Sequence, residues 1–252
     1  GDVAGAIQWM KGVKAGNIGV AGNIAVIGGG NTAMDAARLA KRGGAEHVTL
    51  VYRRTRKYMP ADEHELALAL ADGVEFAIIR LGYRGYGKGA LQPDELFTSH
   101  LDGAHAAGID TGAYFFSQAL TAEEGREEAQ YVLEQLDGRR MEMPIYFDWE
   151  PIAVEDSRTN GYDYAHLTDS AVAFCQTIEA AGYRAGVYIN RQQGYYHYDL
   201  RRLADYSLWV ADYNSYPDFY YRFDMWQYTA SGQLDGIDIQ VDMNLMFVPK
   251  GE

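Results

Sequence analysis

The stretch Met143 to Pro151, MPIYFDWEP, is an apolar run (Ile145, Tyr146, Phe147) that ends in two acids, Asp148 and Glu150, on either side of Trp149. A run of that length opened by a proline predicts a buried strand. Residues i and i+2 of a strand share a face, so both carboxylates leave its end together, with Cα atoms about 6.6 Å apart at roughly 3.3 Å rise per residue. Two acids on one face suit a reaction in which one carboxyl is protonated while the other stays charged, as glycosidic cleavage requires. Two strand-end acids facing water would give the same pattern, so the surrounding sequence has to decide.

Around this stretch the alternation repeats. Strands are predicted at Val74–Leu81, Thr111–Phe116, Pro144–Trp149, Arg184–Ile189, Ser207–Tyr213, Phe223–Tyr228 and Ile239–Phe247. Helical stretches fall at Pro93–Ala107, Ala122–Gln135, Thr168–Ala181 and Leu200–Ala204. Strand and helix in turn predict parallel strands with right-handed crossovers. The last three strands are joined by loops alone.

The motifs FAIIRLGYRGYGKG, GAYFFSQAL, PIYFDWE, AGYRAGVYIN, YSLWVADYN, DMWQYTASGQLDGI and VDMN succeed one another over residues 74–252. In kind and order they resemble the glycoside hydrolase family 25 lysozymes, which cleave peptidoglycan. The resemblance implies an α/β fold, a (β/α) barrel of the TIM type with its site at the C-terminal strand ends. It also implies that Glu150 is the general acid/base, that Asp148 orients the substrate's N-acetyl group as it assists at the anomeric carbon, and that Asp242 lines the same pocket. Tyr83, Tyr114, Tyr188, Asn190, Asp212, Trp226 and Gln227 also fall on those strand ends. Ring faces would cover the apolar faces of pyranoses and polar groups would take the hydroxyls. Spacing alone does not choose between retention and inversion, because about 6.6 Å lies between the two ranges.

Residues 1–73 read differently. Ile24–Ile27 predicts a strand, Gly28-Gly29-Gly30 a tight turn, Asn31–Arg42 a helix, His47–Tyr52 a second strand and Pro60–Ala71 a second helix. This is a βαβ pattern, and Gly28-x-Gly30-x-x-Ala33 fits a dinucleotide fingerprint whose glycines let a pyrophosphate approach a helix N-terminus. Arg53 and Arg54 end the second strand, where arginine suits a 2′-phosphate and hence NADP(H). VIGGGNTAMDAAR, VTLVYRRTR and the MPA just after them resemble the NADPH-binding domain of glutamate synthase small-subunit flavin oxidoreductases. The resemblance covers about residues 1–76, a fragment without the flavin domain.

Family 25 lysozymes begin with a strand of the form G-I-D-V-S, whose aspartate belongs to the site; this chain has none. Its first βα unit is therefore expected to be replaced by the Rossmann-like fragment, joined near Gly73. The expectation is that His47–Tyr52 takes the first barrel position, with Ile24–Ile27 an extra strand (eight plus one) or a ninth barrel strand. An engineered chimera is the leading explanation and natural recombination the alternative.

Bulk composition fits this. With 252 residues, 48% hydrophobic and 23% charged, the chain suits one barrel or two modest domains. Net charge is −13, which argues against nucleic acid or an anionic membrane as partner. Residues 1–73 hold nine Lys/Arg and seven Asp/Glu, the remainder thirteen and twenty-eight, which places a compositional seam near Gly73. No apolar run approaches the ~20 residues of a membrane helix, and no signal peptide is expected. Cys175, the one cysteine, predicts a buried, inert thiol.

Three functions are compatible with these features: a peptidoglycan-cleaving muramidase using Glu150, Asp148 and Asp242, with activity lowered by the missing aspartate; an NADP(H)-binding module using Gly28, Gly30, Ala33, Arg53 and Arg54; or a folded chain that does neither. Glycosidic cleavage needs no cofactor, and no metal ligands stand out. Oligomeric state and compartment are left open.

Overall fold

A computed structural model describes residues 11, 13–15, 23–27, 47–51, 74–234 and 237–247. Ten strands are assigned: β1 (Asn23–Ile27), β2 (His47–Val51), β3 (Phe76–Arg84), β4 (Leu91–Pro93), β5 (Asp110–Ser117), β6 (Ile145–Trp149), β7 (Ala185–Asn190), β8 (Ser207–Ala211), β9 (Met225–Leu234) and β10 (Ile237–Met246). The described helices are α1 (Phe97–Ala106), α2 (Ala122–Leu136), α3 (Leu167–Ala180) and α4 (Arg191–Tyr196). Strands β3 to β10 form one curled sheet in the order β10-β9-β8-β7-β6-β5-β3-β4. From β3 through β5, β6, β7, β8 and β9 the neighbours are parallel, while β4 and β10 run antiparallel at its two ends.

All seven strands expected after residue 74 are present, but the sheet reaches eight by another route. The chain turns through Gly85–Ala90, closed by a hydrogen bond from the Gly85 amide to the Ala90 carbonyl (2.8 Å). It then lays β4 on the edge of β3. Gly89 is needed in that turn, since its φ is +74° and a Cβ would collide with the Arg158 guanidinium. His47–Tyr52, expected at the first barrel position, supplies β2, which among the described residues is hydrogen-bonded in parallel to β1 in a two-stranded sheet and also comes close to β10. Each of these short strands finds its ladder partner in the other. The helix expected at Leu200–Ala204 is a run of turns, and the chain is helical earlier, at α4.

Local chemistry explains the helices that frame the sheet. Thr121 caps α2 by accepting from the Glu124 amide (3.2 Å), and Glu124 accepts from the Leu120 amide (2.7 Å). A left-handed Asp137 and then Gly138 end the helix. Asn190 and Gln193 form a reciprocal capping box on α4.

Two apolar layers result. Ile145, Phe147 and Trp149 face the helices with Phe174, Cys175 and Ile178, while Tyr146 joins Tyr114, Tyr188, Trp209 and Met225 on the inner face. Cys175 is fully buried and burial raises its thiol pKa well above the ordinary value, so the inert reading holds.

A bulge in β3 decides which of its side chains reach the inner face. Arg80 pairs with Tyr114 but Gly82 with Phe115, leaving Leu81 as the extra residue. Ile78 and Arg80 alternate normally with Ile79. After the bulge Tyr83 returns to the inner side and Arg84 goes under α2. There Arg84 bonds Glu128 (2.7 Å), Glu127 (2.6 Å) and the Gly89 carbonyl (2.9 Å).

Candidate active site

Strict alternation along β6 buries the Trp149 indole on the helix side and turns Asp148 and Glu150 into one cleft. The peptide between the acids is held from three directions. The indole Nε1 donates to the Ala119 carbonyl (2.9 Å), and its ring packs against Tyr162 and Tyr164. Gln193 Nε2 donates to the Trp149 carbonyl (2.8 Å), and Gln118 Nε2 to the Glu150 carbonyl (2.5 Å). Rotation of this segment would break several buried bonds at once.

The cleft has a volume of about 720 Å³. Asp148, Glu150 and Asp242 of β10 line it together. Tyr83, Tyr114, Tyr188 and Gln227, all expected from the sequence, line it too. Gln227 organises one wall, because its Oε1 accepts from both Tyr188 Oη (2.7 Å) and Tyr213 Oη (2.9 Å). Trp209 forms another part, its Nε1 donating to Asn244 Oδ1 (2.8 Å) and its ring edge-on to Tyr188 at 4.7 Å.

Three other expected residues sit outside the lining. Asn190 caps α4. The Asp212 carboxylate accepts from Asn214 Nδ2 (2.6 Å) and the Asp218 amide (2.8 Å), and the Asp212 carbonyl accepts from Trp226 Nε1 (2.6 Å). These three shape the turns beside the cleft. Gly28, Gly30, Ala33, Arg53 and Arg54 lie outside the described residues.

Sequence reading missed Arg80, Tyr86, Phe116, Ile152, Trp209, Tyr213 and Gln240, which also line the cleft. Phe116 was findable two residues beyond Tyr114. Arg80 and Tyr83 are three apart, and only the bulge lets both face the cleft.

The wall chemistry is mixed. Against the three acids stands Arg80, whose Nε is taken by Asp94 (2.7 Å) and whose guanidinium lies 5.8 Å from the Tyr83 ring centre. Behind the acids, burial raises the pKa of the Tyr198 hydroxyl far above the ordinary value, and the charge of Asp148 adds to it. A cleft with two acids on one strand end and aromatic walls can protonate a leaving oxygen and stack on flat apolar ring faces. Among the described residues no group of three or more His, Cys, Asp or Glu is placed to hold a metal ion, and no helix is long and apolar enough to cross a membrane.

Comparison with known proteins agrees with this geometry. The profile of "Glycosyl hydrolases family 25" matches residues 64–237, a span that stops short of Asp242. The fold is similar to the modular autolysin LytC of Streptococcus pneumoniae solved with a synthetic peptidoglycan ligand. That likeness has a TM-score of 0.66 and 21% identity, and covers 78% of this chain and 46% of that one. It is also similar to a family 25 glycosyl hydrolase from Bacillus anthracis (TM-score 0.64, 17% identity, 79% and 90% covered). A muramidase from Acremonium alcalophilum is similar as well (TM-score 0.62, 20% identity, 79% and 95% covered). Curated sequences bring out the other resemblance. The beta subunit of NADPH-Fe(3+) oxidoreductase from Geobacter sulfurreducens is 46% identical over 77 residues, 30% of this chain and 12% of the subunit. The glutamate synthase [NADPH] small chain of Azospirillum brasilense is 36% identical over 141 residues, 55% of this chain and 28% of that one. The chain thus spans only a minor part of the oxidoreductases it matches.

Proposed function

The chain belongs to the glycosyl hydrolases family 25, and from that premise we propose that it is a β-1,4-N-acetylmuramidase scaffold acting on the glycan strands of peptidoglycan. The observation that carries the reading is the placement of Asp148 and Glu150 in one aromatic-walled cleft by the alternation of β6. In this reading Glu150 gives its proton to the departing glycosidic oxygen as the C1–O bond breaks. The carbonyl oxygen of the substrate's 2-acetamido group closes on C1, with Asp148 accepting its N–H and stabilising the positive charge. Water then opens that intermediate with Glu150 taking the proton, so configuration is retained and the carboxyls return to their starting states. Asp242 lines the pocket from β10, at one edge of the sheet.

Family members carry an additional aspartate on a first strand that this sequence lacks, and turnover is expected to be lower for it. The test is release of reducing ends from purified peptidoglycan by the protein and by Glu150→Gln. Release that vanishes in the variant supports the reading; equal rates from both would sink it, and no release from either with an intact cooperative melt would leave a folded but silent chain.

A second reading rests on the oxidoreductase resemblance: the N-terminal fragment binds NADP(H) weakly through Gly28, Gly30, Ala33, Arg53 and Arg54. NADPH raising the melting temperature, and Arg53→Ala/Arg54→Ala abolishing the rise, would support it; no rise at millimolar NADPH would end it.

A further inference from the structure

Away from the cleft, a shallow trough of about 460 Å³ opens where α4 meets the loop before α3. At its base the Tyr164 ring stacks on the His197 imidazole, with centres 3.7 Å apart and planes within 9°, so these two faces cover each other. Tyr195 and Tyr196 form the side contributed by α4. Tyr196 is 79% exposed and makes no contribution to the core that would account for its place there.

Three further features point to a ligand. Tyr164 has φ +62°, a left-handed conformation that is costly for a bulky aromatic and that concentrates at functional sites. Its ring lies 5.7 Å from that of Trp149, the residue between Asp148 and Glu150, so the strained residue is fixed from behind. The trough is also electrically balanced. Arg201 is paired with Asp199 through two bonds of 2.9 Å, and Arg202 with Asp169 (2.7 Å). Burial lowers the pKa of His197, which keeps its ring neutral. A largely polar trough edged by the exposed Tyr195 and Tyr196 rings, with its charges paired, suits uncharged pyranose rings; a phosphate or nucleic acid would call for unpaired cations.

The aromatic surface continues toward the cleft. Tyr195 Oη accepts from the Tyr220 amide (2.8 Å), and its ring packs on Phe219 at 5.1 Å. The loop that supplies both residues also carries Tyr213, which lines the cleft. Tyr220 itself is 89% exposed.

We propose that this trough is a second carbohydrate-binding site, separate from the cleft, that takes uncharged N-acetylhexosamine units of a glycan strand. The choice of glycan rests on the muramidase reading; the trough's geometry does not.

The experiment is co-sedimentation with insoluble peptidoglycan in a Glu150→Gln background, comparing that parent with Tyr196→Ala and Tyr195→Ala. In parallel, the two tyrosine variants with Glu150 intact are assayed on a short soluble peptidoglycan oligosaccharide. Retention about five- to tenfold weaker in the tyrosine variants, with short-substrate cleavage unchanged, is the expected result. Retention equal to the parent's, or a parent that is not retained, overturns the site. Loss of retention and short-substrate cleavage together overturns its separateness from the cleft. If no variant cleaves anything but retention still depends on Tyr196, the muramidase reading fails and the second site stands.

Discussion

Gln193 donates its side-chain amide to the carbonyl of Trp149 at 2.8 Å, tying the first turn of α4 to the residue between Asp148 and Glu150. The same side chain closes the Asn190 capping box. Gln193→Ala therefore leaves a buried carbonyl unpaired and loosens the peptide that aims both acids. We expect a stability loss of about 1–3 kcal/mol by urea titration, and a fall in kcat on peptidoglycan of up to ~100-fold with little change in KM. An unchanged kcat in a destabilised variant would show that α4 supports the fold without positioning the acids.

The acids themselves should separate by role. Glu150→Gln removes the proton donor and is expected to cut the rate of reducing-end release by about 10²–10⁴-fold. Asp148→Asn keeps the shape but loses the charge, so its rate should fall as well, while binding of intact glycan persists in both. Wild-type turnover in Asp148→Asn would remove that residue from the mechanism.

Much of this was legible in the primary structure for physical reasons. Period-2 alternation in Ile145–Trp149 foretold that Asp148 and Glu150 share a face, and the alternation of strand and helix foretold the parallel neighbours β3, β5, β6, β7 and β8. What failed was anything decided by a single irregularity or a non-local pairing. The β3 bulge at Leu81 has no composition signal, yet it lets the unexpected Arg80 share the cleft with Tyr83 and sends Arg84 under α2. β4 is three residues long and is held by pairing with β3 alone, so no periodicity marks it. Asn190 and Asp212 stand at strand ends as binding residues would, but their oxygens are spent on turns and caps.

Helix α2 crosses α3 at Gly125. A Cβ there would sit 2.3 Å from the Ser170 carbonyl oxygen, which belongs to backbone and cannot swing away. Alanine is the better helix former by about 1 kcal/mol, but the clash should outweigh that. Gly125→Ala is expected to destabilise by about 1–3 kcal/mol in denaturant titrations, whereas stabilisation would mean that the two helices are farther apart than this.

Glu128 gives the pH dependence its sign. The Ser117 hydroxyl, the Arg84 guanidinium and the Gln118 amide all favour its ionised form, but complete burial outweighs them and pushes the carboxyl from 4.5 up to about 7. Arg84 is not stranded when Glu128 takes a proton, because Glu127 bonds it independently at 2.6 Å. A carboxyl whose folded-state value is raised stabilises fully below its unfolded value and loses that contribution as pH climbs through the folded one. The displacement from 4.5 to about 7 corresponds to about 3 kcal/mol, so unfolding free energy should decline between pH 5 and pH 8. Glu128→Gln mimics the protonated form: it should match the wild type near pH 5 and show a flatter profile above it. A wild-type profile that is already flat across this range would mean that the guanidinium keeps Glu128 charged throughout, and that the pair is an ordinary buried ion pair.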